Sequence, residues 1–222
     1  MRALFAALAA VVLACPAVAQ NTPPQRIKGT IEAFAAPNLT VKTDQGATVE
    51  VALAPDAKII ANEKSSLADV KPGDFVASAA LAGPDGKLHS QEVRIFPEAL
   101  RGLGEGQYPM DTPNRSMTNA TVQEVNGKVK ASQGVLKLTF HGSTAGAGGA
   151  CSGHASAPGK GNCEGTSELV VDNKVPVMKW VLGDVSWLEK GKAVSIFAAA
   201  GPDGKLSTRG VVVERGGVKP ML

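Results

Sequence analysis

Four residues in the second half of the chain have types that could hold a metal: His141, Cys151, His154 and Cys163. Imidazole nitrogens and thiolates make a soft N/S set suited to zinc or copper, and Cys151-x-x-His154 has a spacing used by such ligands. The same two cysteines support a second chemistry. The chain has 3 cysteines, and the third, Cys15, lies in a leader-like segment. An even pair in an oxidising compartment is by default a disulfide. Closing a loop of this length contributes about 3 kcal/mol in the chain-entropy model. The glycines and serines flanking these residues are poor scaffolding for a preformed ligand cage. The expectation is therefore a Cys151–Cys163 disulfide and no cofactor. Zinc or copper held by His141, Cys151, His154 and Cys163 is the alternative.

A second group lies in the irregular stretch from Pro97 to Met117, which carries Glu105, Gln107, Tyr108, Met110, Asp111, Arg115 and Met117. Binding residues concentrate on such segments. Tyr108 is the only tyrosine, and Met110 and Met117 could serve as thioether copper ligands, or Tyr108, Pro109 and Met117 could pack as a lid over the barrel seams. Trp180 and Trp187 are the only tryptophans. Exposed on one barrel face they would form a stacking platform for sugars, and buried beside Val177, Val181 and Leu188 they would be core. Tyr108, Met110, Met117, Trp180 and Trp187 form the candidate binding surface.

No enzyme motif accompanies them. The chain has no Gly-x-Ser-x-Gly, no His-Glu-x-x-His and no phosphate-cradling glycine loop leading into a helix. A formal charge of +3 with no clustered basic face gives no nucleic-acid footprint.

The elements that must position these residues are strands. Aromatics make up 4% of the 222 residues, against 25 glycines and 14 prolines, which suits short strands joined by turns. The leader comes first: Met1-Arg2, an apolar run from Ala3 to Ala14, then Ala17-Val18-Ala19. This is the pattern of a signal peptide cleaved near Ala19, too short for a membrane span. It predicts a periplasmic or secreted protein with no transmembrane segment. A lipoprotein anchored through Cys15 is the alternative. Gln20 to Gln25 reads as an extended arm.

The mature chain repeats itself. Gly83-Pro84-Asp85-Gly86-Lys87-Leu88 returns as Gly201-Pro202-Asp203-Gly204-Lys205-Leu206, an offset of 118 (201 − 83). Gly29-Thr30-Ile31 corresponds to Ala120-Thr121-Val122. In the first copy, Ile27 to Phe34, Leu39 to Thr43 and Thr48 to Leu53 alternate with period two, as half-buried strands do. Turns are expected at Pro37-Asn38, Asp44-Gln45-Gly46 and Ala54-Pro55-Asp56, a helical turn within Ser65 to Val70, and strands at Phe75 to Leu81 and Lys87 to Phe96. In the second copy, strands are expected at Thr121 to Val125, Lys128 to Ser132, Val135 to Phe140, Leu169 to Val171, Val177 to Leu182, Ala193 to Ala199 and Lys205 to Glu214. The Gly/Ser/Ala-rich segment 141–165 is expected to be a non-strand insertion.

The order strand-strand-strand-turn-strand-strand is that of a five-stranded OB barrel. The pattern Gly29-x-Ile31, Gly46-x-x-Val49-x-Val51, Leu67-x-x-Val70-x-x-Gly73-Asp74-x-Val76 and Gly86-x-Leu88 resembles an exported bacterial domain family of unknown function. That family is similar to the periplasmic bacterial OB-fold stress proteins. The resemblance covers Arg26 to Phe96 well and Met117 to Glu214 less well, because Gly191-Lys192 replaces the Gly-Asp pair. It implies a barrel and carries no catalytic residues.

The expected architecture is all-β. It has two tandem OB-like barrels over 26–96 and 118–215, joined by a linker over 97–117 and followed by a tail over 216–222. The expected function is a non-enzymatic exported binding or structural module for an envelope protein or small ligand. Metal handling and oligosaccharide binding are the alternatives.

Overall fold

The computed structural model describes residues 24–110, 112–126 and 133–220. The leader, Cys15, Asp111 and the strand expected over Lys128 to Ser132 lie outside these residues. The described elements are β-strands and 3-10 turns. The strands are β1 (Gln25–Ala35), β2 (Asn38–Thr43), β3 (Thr48–Ser65), β4 (Phe75–Ala82), β5 (Leu88–Ser90), β6 (Val93–Ile95), β7 (Gly106–Pro109) and β8 (Arg115–Asn126). They continue as β9 (Gln133–Gly142), β10 (Thr144–Ala145), β11 (Cys151–His154), β12 (Cys163–Asp172), β13 (Val177–Gly183), β14 (Ala193–Ala200) and β15 (Leu206–Val213).

The pairings join the two copies. Strands β1, β2 and β3 close into a five-strand barrel with β15 and β14 from the second copy. Strands β8, β9 and β12 close a second ring with β5 and β4 from the first copy. The expected boundaries 26–96 and 118–215 therefore do not coincide with the rings, because each copy lends its last strands to the other.

The cause is the length of β3. It runs for 18 residues, about 60 Å of extended chain, and passes straight through Ala54-Pro55-Asp56, where a turn is expected. Pro55 is tolerated because it is exposed and its ladder with β15 is already irregular between Thr208 and Gly210. The second half of β3 leaves its barrel and pairs with β13. The chain thus reaches the other ring before β4 begins.

The exchange is symmetric. Along β3 and β13, Val177 faces Ser65 and Gly183 faces Ile59, so Asn62 faces Trp180, its own repeat counterpart (180 − 62 = 118). Likewise Val211 opposite Ile59 is matched by Val93 opposite Val177. Thr30 opposite Ala193 is matched by Thr121 opposite Phe75. A pseudo-twofold axis therefore passes through the Asn62–Trp180 pair.

Each ring has its own core. Ile27, Ile31, Leu39, Val41 and Val51 meet Leu188, Val194, Ile196, Val211 and Val213 in the first. Val76, Val93 and Ile95 meet Val122, Leu136, Leu138, Phe140 and Leu169 in the second. A third cluster, with Ile60, Phe75, Phe96, Leu100 and Trp180, lies at the junction. Alternating burial along β9 shows the expected period.

Two irregular segments are more ordered than expected. The insertion lengthens β9 and β12 into a hairpin stem, with β10 and β11 beyond it. The linker forms β7, which pairs with both β8 and β11. Glycine permits this docking: Gly106 has φ 138°, and a Cβ there would collide with the Gly153 carbonyl oxygen.

Candidate binding cleft

A cleft of about 510 Å³ opens between the two rings, on the pseudo-twofold axis. Repeat-related positions line it together: Asn62 with Trp180, Ala77 with Ser195, and Arg94 with Val212. The members of each pair differ in chemistry, so a symmetric frame carries an asymmetric lining.

Aromatic rings build its floor. Phe96 meets Phe75 edge-on at 5.3 Å between centroids and Trp180 at 4.6 Å. The Arg94 guanidinium sits 5.1 Å from the Trp180 ring centroid and donates to Glu92 Oε1 at 2.6 Å. Trp180 is buried at 9% exposure, and its indole N–H has no partner among the described residues. Two asparagines stand in the walls. Asn62 Nδ2 donates to the Lys219 carbonyl and Asn119 Nδ2 to that of Leu103. Their side-chain carbonyl oxygens are buried without a partner among the described residues.

The linker supplies one wall through Leu100, Leu103, Gly104 and Tyr108, and the insertion holds that wall in place. Glu105 is buried and accepts three hydrogen bonds: from the His141 backbone N–H at 3.0 Å, from His141 Nδ1–H at 2.8 Å and from the Gly159 N–H at 2.7 Å. Burial alone would raise the Glu105 pKa. The donors from Gly159 and His141 outweigh it and hold the carboxyl below its ordinary value. Gln107 Nε2 donates to Thr118 and Ser167 hydroxyls, both 2.9 Å away. The Tyr108 ring rests on His154 at 3.7 Å between centroids. Burial pushes the Tyr108 phenol above its ordinary pKa.

The expected disulfide is present: Cys151 and Cys163 are bonded, at a Cα separation of 5.7 Å. The metal alternative drew on the same two thiols. Both thiols are consumed, His141 is turned to Glu105, and His154 lies on Tyr108. Among the described residues no group of three or more His, Cys, Asp or Glu could hold a metal ion.

Of the five candidate surface residues, Tyr108, Met117 and Trp180 meet in the cleft. Met110 borders a shallower hollow beside Tyr108, Pro109 and Ser152. Trp187 stands apart, over Gly183 and under the Arg215 guanidinium, which is 3.9 Å from its ring centroid. The two tryptophans therefore do not form one platform.

Sequence reasoning missed Arg26, Lys58, Phe96, Phe197 and Arg209, which also line the cleft. Phe197 is 57% exposed with Arg26 stacked on it at 4.6 Å, and Leu103 is 50% exposed. The offset of 118 was the available signal, since it pairs Phe197 with buried Ala79 (197 − 79). A large exposed ring opposite a small buried residue in the sister copy marks a departure from barrel packing.

The arrangement can enclose a small apolar body and offer it cationic side chains. No family model, no curated protein and no solved structure matches this chain.

Proposed function

We propose that the protein is an exported, non-enzymatic binding module of OB-like barrels, and that it takes a small ligand in the cleft between its rings. One observation carries the reading: a 510 Å³ hollow floored by Phe96 and Trp180 and walled by an anchored linker. That volume is in the range of small-molecule sites, which are concave, mostly apolar and largely preformed. The resemblance to exported bacterial barrel domains and the leader at Met1 to Ala19 support an envelope location. The disulfide supports it as well, since such bonds persist in oxidising compartments.

The two tryptophans give the test an internal control, because Trp180 lines the cleft and Trp187 does not. In isotope-labelled protein their indole N–H resonances are followed while small organic fragments are titrated. Fragments that move the Trp180 signal saturably and leave Trp187 in place support the reading. A library that binds nowhere, or shifts both signals alike, refutes it.

A further inference from the structure

The chemistry of the lining restricts what the cleft accepts. Among the described residues five charged side chains line it, and four are cations: Arg26, Lys58, Arg94 and Arg209, against the carboxylate of Asp56. Two of the cations already face acids. Arg94 bonds to Glu92 at 2.6 Å, and Arg209 lies 3.1 Å from Asp56. Lys58 is exposed, and it has no ion-pair partner among the described residues. It stands beside Arg209, because Lys58 is in register with Gly210 across β3 and β15.

The charge is also unevenly placed. Arg26, Lys58 and Arg209 belong to strands of the first barrel, β1, β3 and β15. Phe96, Trp180, Tyr108 and Met117 come from the junction, the linker and β8. Three of the four cations thus lie on the first-barrel side, together with Phe197, while Arg94 lies against Trp180 in the floor. Low-dielectric walls strengthen the attraction of such a side for an anion.

Resting on the binding reading above, we infer that the ligand is an amphiphilic organic anion. It has a flat apolar ring system that lies against Phe96 and Trp180, and an acidic group that reaches Lys58 and Arg209. A carboxylate and a sulfonate share this chemistry.

The test uses two probes with the same body: anilinonaphthalene sulfonate and its uncharged parent, phenylnaphthylamine. Both are titrated into Trp187→Phe protein, where Trp180 is the only tryptophan donor. The sulfonate is expected to bind at one site, quench Trp180, and bind at least about tenfold tighter than the parent. Charge reversal by Lys58→Glu is expected to weaken the sulfonate about tenfold and to leave the parent within about twofold. The exposed position of Lys58 keeps the fold out of the comparison. Equal binding of both probes with no effect of Lys58→Glu overturns the anion inference and leaves the cleft as a binding site. Failure of both probes to quench Trp180 overturns the binding reading as well.

Discussion

Glu105→Ala tests how the cleft keeps its wall. The Glu105 side chain is 7% exposed and serves three donors at 2.7–3.0 Å. Two of these are backbone N–H groups, of His141 and Gly159, which cannot turn away. The His141 ring is 34% exposed and can find water. Both backbone bonds are part-buried and Gly159 is an exposed residue, so the substitution is expected to cost about 1–3 kcal/mol in all. Glu105→Gln keeps an acceptor oxygen and loses only the charge, so about half that cost is expected. Urea unfolding at neutral pH measures both. Amide exchange at His141 and Gly159 localises the loss, and both amides should exchange faster in the alanine variant. A change below about 0.5 kcal/mol, with both amides still protected, would refute the clamp.

Three further expectations follow from the same contacts. Because the Glu105 pKa is lowered in the fold, its stabilisation is fully present above the unfolded carboxylate value of about 4.3. It is lost as pH falls through the lower folded value, so wild-type and Glu105→Ala stabilities should converge in acid titrations. Replacing both Cys151 and Cys163 by Ser should cost about 3 kcal/mol and leave the far-ultraviolet strand signal intact, because the ring pairings do not pass through the loop tip. Gly106→Ala should free β11 from β7, at about 1–3 kcal/mol, because its Cβ would meet the Gly153 carbonyl. Loss of backbone contacts between Gly106 and His154 in nuclear magnetic resonance spectra would report it.

Much of the fold was legible because burial in a barrel writes period two into the chain. Leu39–Thr43 and Val135–Phe140 alternate visibly, and the repeat located Ala193–Ala199 and the rest. The disulfide was legible from the cysteine count together with the export expected from the leader. The exchange of strands was not. A strand's sequence specifies which face is buried and is silent on which neighbour supplies its hydrogen bonds. Strand β14 has the same apolar sequence whether it pairs with β8 or with β1, so the repeat alone suggested closure within each copy. Pro55 also misled, since proline marks a turn in most contexts and here sits on an exposed, irregular part of β3. The cleft residues followed the same limit. Tyr108, Met117 and Trp180 stood out by rarity or setting, whereas Lys58 and Arg209 gain their meaning only when β3 and β15 lie side by side.

The cleft exists because the rings share strands, and one cross-link tests that sharing. Arg26 on β1 lies directly opposite Phe197 on β14, and both are exposed. Directly opposed antiparallel residues have Cα atoms about 4.5–5.5 Å apart, within disulfide reach. Closure within the first copy would instead place Arg26 opposite Ala79, the counterpart of Phe197 (197 − 79 = 118). The double substitution Arg26→Cys/Phe197→Cys, oxidised and then alkylated without reductant, should yield a single-chain product with no alkyl group added at either new cysteine. Full alkylation of both new thiols in folded protein would contradict the exchanged barrels and, with them, the cleft.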